Sequence, residues 1–182
     1  MIFNDNSNIK GWTEMQLFDK DGKVKPLFKE NFLWRLFKKL FNVDLQIPLL
    51  FGTWTTLAIK RNTITDVGKS LAAGQINGVT TAPVTAIAIG VGTPTTTALG
   101  SESTTNGGSR GAATTSRTTT TVTNDTARWV KTFTFSGALA LTEEGLFDNN
   151  TSGGNMLASQ TFSVVNVANT DTLQITHNVK FA

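Results

Sequence analysis

Ala86-Ile-Ala-Ile-Gly-Val-Gly-Thr-Pro-Thr-Thr-Thr-Ala-Leu-Gly-Ser-Glu102 is the stretch that decides the fold. It begins as an apolar run of strand length, breaks at Gly90 and Gly92, and passes through a Thr-rich turn to a lone carboxylate, Glu102. A short apolar run bounded by turn residues is the mark of a buried strand. Gly90-Val-Gly92 is not a dinucleotide fingerprint, because Thr95 stands where a third glycine belongs. The two glycines are expected to permit a bulge or a close approach of backbone.

Strand patterns continue to the end of the chain. In residues 127–135, Trp129, Lys131, Phe133 and Phe135 alternate onto one face. Residues 139–147 contain Glu143-Glu-Gly-Leu-Phe147, and Met156-Leu-Ala158 opens the next strand. In residues 173–181, Leu173, Ile175, His177, Val179 and Phe181 share a face. Short strands separated by turn signals predict an all-β fold, a jelly-roll-like β-sandwich over residues 50–182. Residues 114–123 read as a Thr-rich strand with little to bury, either an exposed edge or one that pairs only in an oligomer.

Residues 1–49 read differently, as an extended N-terminal arm carrying a basic amphipathic helix. Residues 1–25 are polar, with one hairpin expected in which a short strand at Met15–Phe18 reaches the turn Asp21-Gly22 and returns through Val24. From Pro26 to Phe41 the apolar residues Leu33, Leu36, Phe37 and Leu40 recur at helical spacing, and Asn42 marks a stop. Three readings stay open for this helix: packing on its own domain, docking on a partner protein, or lying on a membrane surface. As a docking element, Phe28, Phe32, Trp34, Phe37 and Phe41 would supply apolar contact, and Arg35 and Lys38 charge. Residues 43–60 alternate only weakly, and Thr53–Ile59 is strand-like in composition. A second short helix is expected at residues 65–74, capped by Thr65 or Asp66 and ended by Gly74. Gly68-Lys69-Ser70 within it is not a phosphate loop, because Thr63 stands where the first glycine of that pattern belongs.

The net charge of +3 is uneven: residues 1–70 hold eleven Lys/Arg against seven Asp/Glu, and the remainder five against six. That excess is weaker than a nucleic-acid footprint, so no nucleic-acid partner is expected. No run of residues is long and apolar enough for a membrane span. Cysteine is absent, which removes disulfides and thiolate metal sites. The single histidine, His177, lies on an apolar face and is expected to be a satisfied core or interface residue; only three copies on a three-fold axis would make it a metal site. Glu143 and Glu144 point to opposite faces and form no carboxylate pair, and Glu102 is expected to bind backbone N–H groups, Arg110 or Arg128. The chain is therefore expected to have no catalytic, cofactor-binding or metal site.

Asn62-x-Ile-Thr-Asp-x-Gly68, Ala86-Ile-Ala-Ile-Gly-x-Gly-Thr93, Ala98-Leu-x-x-Glu102, Glu144-Gly-Leu146, Met156-Leu-Ala158 and Asp171-Thr-Leu173 together resemble small virion structural proteins of tailed bacteriophages. These are capsid decoration or cement proteins and related head or tail fibre proteins, and the resemblance covers residues 62–182. It implies a β-sandwich homotrimer in the virion, on the head surface, with the major capsid protein as partner. Gly90, Gly92, Glu102, Glu144 and Gly145 would be its structural positions. The family pattern often carries Arg where Ser159 stands here. The alternative is a fibre module that meets the host surface through residues 103–113 and 147–155.

Overall fold

The computed structural model describes residues 9–43, 45–79 and 82–181. Two antiparallel sheets carry most of the chain. One has the order β2 (Val24–Lys25), β1 (Ile9–Phe18), β13 (Thr172–Phe181), β10 (Thr126–Thr134), β9 (Thr114–Thr118), with β5 (Ala58–Arg61) also paired to β1. The other runs β6 (Thr63–Ile64), β12 (Met156–Val167), β11 (Leu139–Phe147), β7 (Ala86–Gly90), β8 (Gly111–Ala112). Neither sheet closes on itself. A separate hairpin pairs β3 (Leu27–Glu30) with β4 (Gly52–Thr55), and two short helices, α1 (Phe32–Phe41) and α2 (Asp66–Ile76), complete the described elements.

The alternation seen in the sequence becomes a shared core. Met15 and Leu17 of β1, Trp129 and Phe133 of β10, and Leu173 and Ile175 of β13 bury against Ile87 and Ile89 of β7, Leu146 of β11 and Phe162 of β12. A strand that puts every second side chain on one face can bury that face alone, which is why β10 and β13 keep polar residues between their apolar ones. The expected arm is corrected over Ile9–Phe18. These residues pair with β13 along their whole length, and Met15 and Leu17 enter the core. Thr13, Met15 and Leu17 alternate inward between polar neighbours, a pattern that overall polarity conceals. The hairpin turn falls where expected, with Gly22 at φ +75°. Residues 1–8 of the arm lie outside the described residues.

Three boundaries also differ. The first helix begins at Phe32, not Pro26, because Leu27–Glu30 is claimed by pairing with β4 and Asn31 caps the helix. Residues 53–59 divide into β4 and β5, which serve different sheets. The second helix runs through Gly74 to Ile76. Its Thr65 cap receives the Gly68 N–H at 2.8 Å and donates its hydroxyl to the Met156 carbonyl. A methyl on Gly68 would collide with the Leu157 carbonyl oxygen, so this glycine brings α2 onto β12. That accounts for the Gly-Lys-Ser run without a phosphate. The Thr-rich strand ends at Thr118 as an edge of its sheet. The turn after it is organised by Asp125, whose carboxylate accepts the N–H groups of Thr120, Thr121 and Val122.

Candidate functional site

α1 is built on a small core of its own. Asn31 accepts the Trp34 N–H at 3.0 Å and donates to the Leu50 carbonyl at 2.9 Å, so one side chain starts the helix and ties it to the returning loop. Asn42 ends it in the left-handed conformation, its N–H on the Lys38 carbonyl at 2.8 Å. Lys38 and Lys39 occupy the last turn, where cations suit the helix dipole. Phe28, Trp34 and Phe51 bury together, with Phe37 against Phe51 at 5.2 Å between ring centroids. Of the expected docking residues, Phe28 and Trp34 are therefore interior supports. Lys38 covers the Trp34 ring, its Nζ 4.7 Å from the centroid. Phe32, Arg35 and Phe41 face outward.

The helix turns its apolar stripe away from the body. Phe32 is 74% exposed and Leu40 67%, with Leu33 and Leu36 also exposed. The loop that follows adds more: Leu45, Ile47, Leu50 and Trp54 are exposed, and Leu49 is 94% exposed. Leu49 sits at φ +67°, a left-handed conformation that is unfavourable for a bulky residue. It is held there by its N–H on the Gly52 carbonyl and by Phe51 N–H on the Ile47 carbonyl, both at 2.9 Å. The apolar patch is thus a positioned surface. Periodicity identified the helix but assigned its stripe to neither solvent nor core; the loop leucines were readable only as a weak strand.

Beside the stripe lies a groove of about 410 Å³ lined by Trp34, Arg35, Lys38, Lys39, Lys60 and Thr161. Lys60 also pairs with Glu30, which accepts the Ser163 hydroxyl at 3.0 Å. Burial by itself would raise the Glu30 carboxyl, but the Lys60 ammonium and the hydrogen bonds outweigh it and hold the group below its ordinary value.

The expected structural positions fall at two other places. Glu143, placed opposite Glu144 by the sequence but not among the expected structural positions, organises the stretch 90–102. Its fully buried carboxylate accepts the N–H of Gly92 at 3.0 Å, Gly100 at 2.9 Å and Ser101 at 2.8 Å. Methyl groups on Gly90 and Gly92 would strike Glu143 and the 100–101 backbone, so the glycines serve close approach. The register shifts lie instead in the β11–β12 ladder. Glu102 forms a forked pair with Arg110, whose guanidinium lies 3.6 Å from the Phe147 ring centroid and donates to the carbonyls of Asn149 and Gly153. Arg110 therefore meets Glu102, and Ser159 takes no part. Gly145 leaves room for Leu99, Phe147 and Met156 on the outer face of its sheet.

Glu144 points the other way, into the core between the sheets. It accepts the Thr13 hydroxyl at 2.9 Å and lies 3.2 Å from His177 Nδ1, while the other ring nitrogen meets Asn62. His177 and Glu144 are fully buried, so the pair has no access for a substrate. Gln160, opposite Glu144 in the ladder, is buried with its amide oxygen and nitrogen unpartnered.

Among the described residues no group of three or more His, Cys, Asp or Glu is placed to hold a metal ion, and no helix is long and apolar enough to cross a membrane. Comparison with protein-family models, with curated proteins and with solved structures finds no match to this chain.

Proposed function

We propose that this chain is a virion structural protein of a tailed bacteriophage, a capsid cement protein that binds the major capsid protein as a homotrimer. In this reading the two open sheets form a jelly-roll-like sandwich, supported by the core they share and by the chain's repeated crossing between them, at β8–β9, β10–β11 and β12–β13. The observation that carries the reading is the outward apolar face of α1 and residues 45–50, supported from beneath by Phe28, Trp34 and Phe51. Contiguous exposed apolar surface of this kind marks an interaction site. Repeated over many copies, even shallow contacts stabilise an assembled shell by mass action. The virion assignment itself rests on the motifs between residues 62 and 182.

The test is binding of the purified protein to bare expanded shells and, separately, to isolated tails. Shell binding that is lost in Leu36→Ser/Leu40→Ser, with the fold unchanged by circular dichroism, supports the cement role. Binding to tails alone moves the assignment to a fibre module. That second reading is favoured by one feature: Arg110 ties the 102–110 loop to the 149–153 loop, giving a preorganised tip. Binding to neither rejects both.

A further inference from the structure

The charged and apolar residues of α1 are sorted into two parallel rows. Phe32, Leu36 and Leu40 follow one another at four-residue steps, and Arg35 and Lys39 form the next row, each three residues on from Phe32 and Leu36. All five side chains are exposed. Arg35 and Lys39 lead into the groove that Lys38 and Lys60 also line, and no carboxylate lines it. The cations occupy one flank only. The other flank, through Leu33 and Phe37, runs toward Phe51 and its loop.

From this arrangement we infer that the segment α1 receives is an acidic amphipathic helix of a partner protein. Its apolar seam lies over Phe32, Leu36 and Leu40, and a row of Asp or Glu on one side faces Arg35 and Lys39. The inference rests on the proposed reading of α1 as the docking face. Two features select a protein segment over an anionic bilayer. Carboxylates fixed in one row beside an apolar seam match the single row of Arg35 and Lys39, a register that a fluid headgroup layer does not supply. A surface helix also snorkels cations on both flanks, and here they stand on one. A helix of ten residues is about 15 Å long, so the contact spans about three turns of the partner. Helix-in-groove recognition uses this kind of four-residue anchor spacing, and the charged row sets orientation and register.

The experiment uses the full chain and three probes: a fluorescein-labelled Leu/Glu heptad peptide, its Leu/Lys counterpart, and phosphatidylcholine vesicles containing phosphatidylglycerol. Anisotropy is expected to show binding of the Glu peptide at least about tenfold tighter than the Lys peptide. Arg35→Glu/Lys39→Glu is expected to reverse that order, and Leu36→Ser/Leu40→Ser to weaken both peptides about tenfold. All substituted residues are exposed, so unchanged circular dichroism accompanies each result. Equal affinity for the two peptides, no binding of the Glu peptide, or vesicle binding with no peptide preference overturns the inference. No shell is present in this assay. Loss of the peptide preference with shell binding intact rejects the acidic segment alone, and shell failure with the preference intact rejects the cement reading alone.

Discussion

Replacing His177 by Phe removes its polar contacts to Glu144 and Asn62 while keeping a planar ring in the core. In the native protein the Glu144 carboxyl meets Thr13 and His177, at 2.9 and 3.2 Å, and His177 reaches Asn62 with its second nitrogen. The substitution leaves Glu144, fully buried, with the Thr13 hydroxyl as its remaining partner among these. Breaking a buried, hydrogen-bonded pair from one side costs about 3–5 kcal/mol. For a chain of this length that corresponds to a fall in Tm of roughly 6–20 °C. Glu144→Leu in the same background removes the stranded acceptor, and replacing both partners by apolar groups is far less costly than removing one. The double variant is therefore expected to recover at least about 2 kcal/mol relative to the sum of the singles. Urea unfolding followed by tryptophan fluorescence measures this, because Trp129 stands edge-on to His177 with centroids 6.4 Å apart. A single-variant cost below about 1 kcal/mol, or additive singles, would refute the inter-sheet pair as a stabilising contact.

Gly68→Ala is expected to cost at least about 2 kcal/mol in the same unfolding assay, because its methyl must push α2 off the Leu157 carbonyl; a neutral result would show that the helix is not seated there. Gln160→Met is expected to stabilise by about 1 kcal/mol, since it removes a buried amide without partners, and a marked loss of stability would expose a hidden partner. Glu30 is held below its ordinary 4.5, so the unfolded chain binds its proton first as pH falls. The contribution of Glu30 is full above that value and is lost as pH drops through it toward the folded value. Comparing urea midpoints from neutral pH to about pH 3, Glu30→Gln is expected to be less stable at neutral pH and to lose part of the acid slope. An unchanged slope would remove Glu30 from the acid response.

The legible parts of the fold are those in which pattern and burial coincide. Residues 173–181 alternate cleanly, and β13 buries Leu173, Ile175, His177 and Val179 of the selected face, although Phe181 at its end is exposed and Thr176 and Asn178 opposite are buried as well. Ala86 to Ile89 is apolar throughout, and β7 is buried on both faces, between the shared core and a second cluster of Ala86, Ala88, Leu99, Phe147 and Met156. The motifs also converge: residues 62–68 seat on Met156, Leu157 and Ala158; Ala158 and Met156 pair with Leu146 and Phe147, which pair with Ile87 and Ala86. Of residues 9–18 only the strand at Met15–Phe18 was legible, because a strand that is half polar matches an arm in composition. The candidate docking face was half legible. Helical spacing marked Pro26 to Phe41 as an amphipathic helix, of which residues 32–41 are helical, but periodicity does not say which stripe meets water.

What the sequence determined by itself is local: which segments alternate, where Asn42, Thr65 and Gly22 cap or turn the chain, and that no thiol chemistry is available. Those properties depend on side chains within a few residues of one another. Three matters were decided only in three dimensions. Glu143, not its neighbour, staples residues 92–101; Glu144 and His177 meet across the core from positions 33 residues apart. Trp34 faces inward while Leu36 and Leu40 face out. Each depends on which sheet or hairpin lies opposite, and that is settled by the total area the two layers can bury, a property of the assembled chain that no single stretch carries.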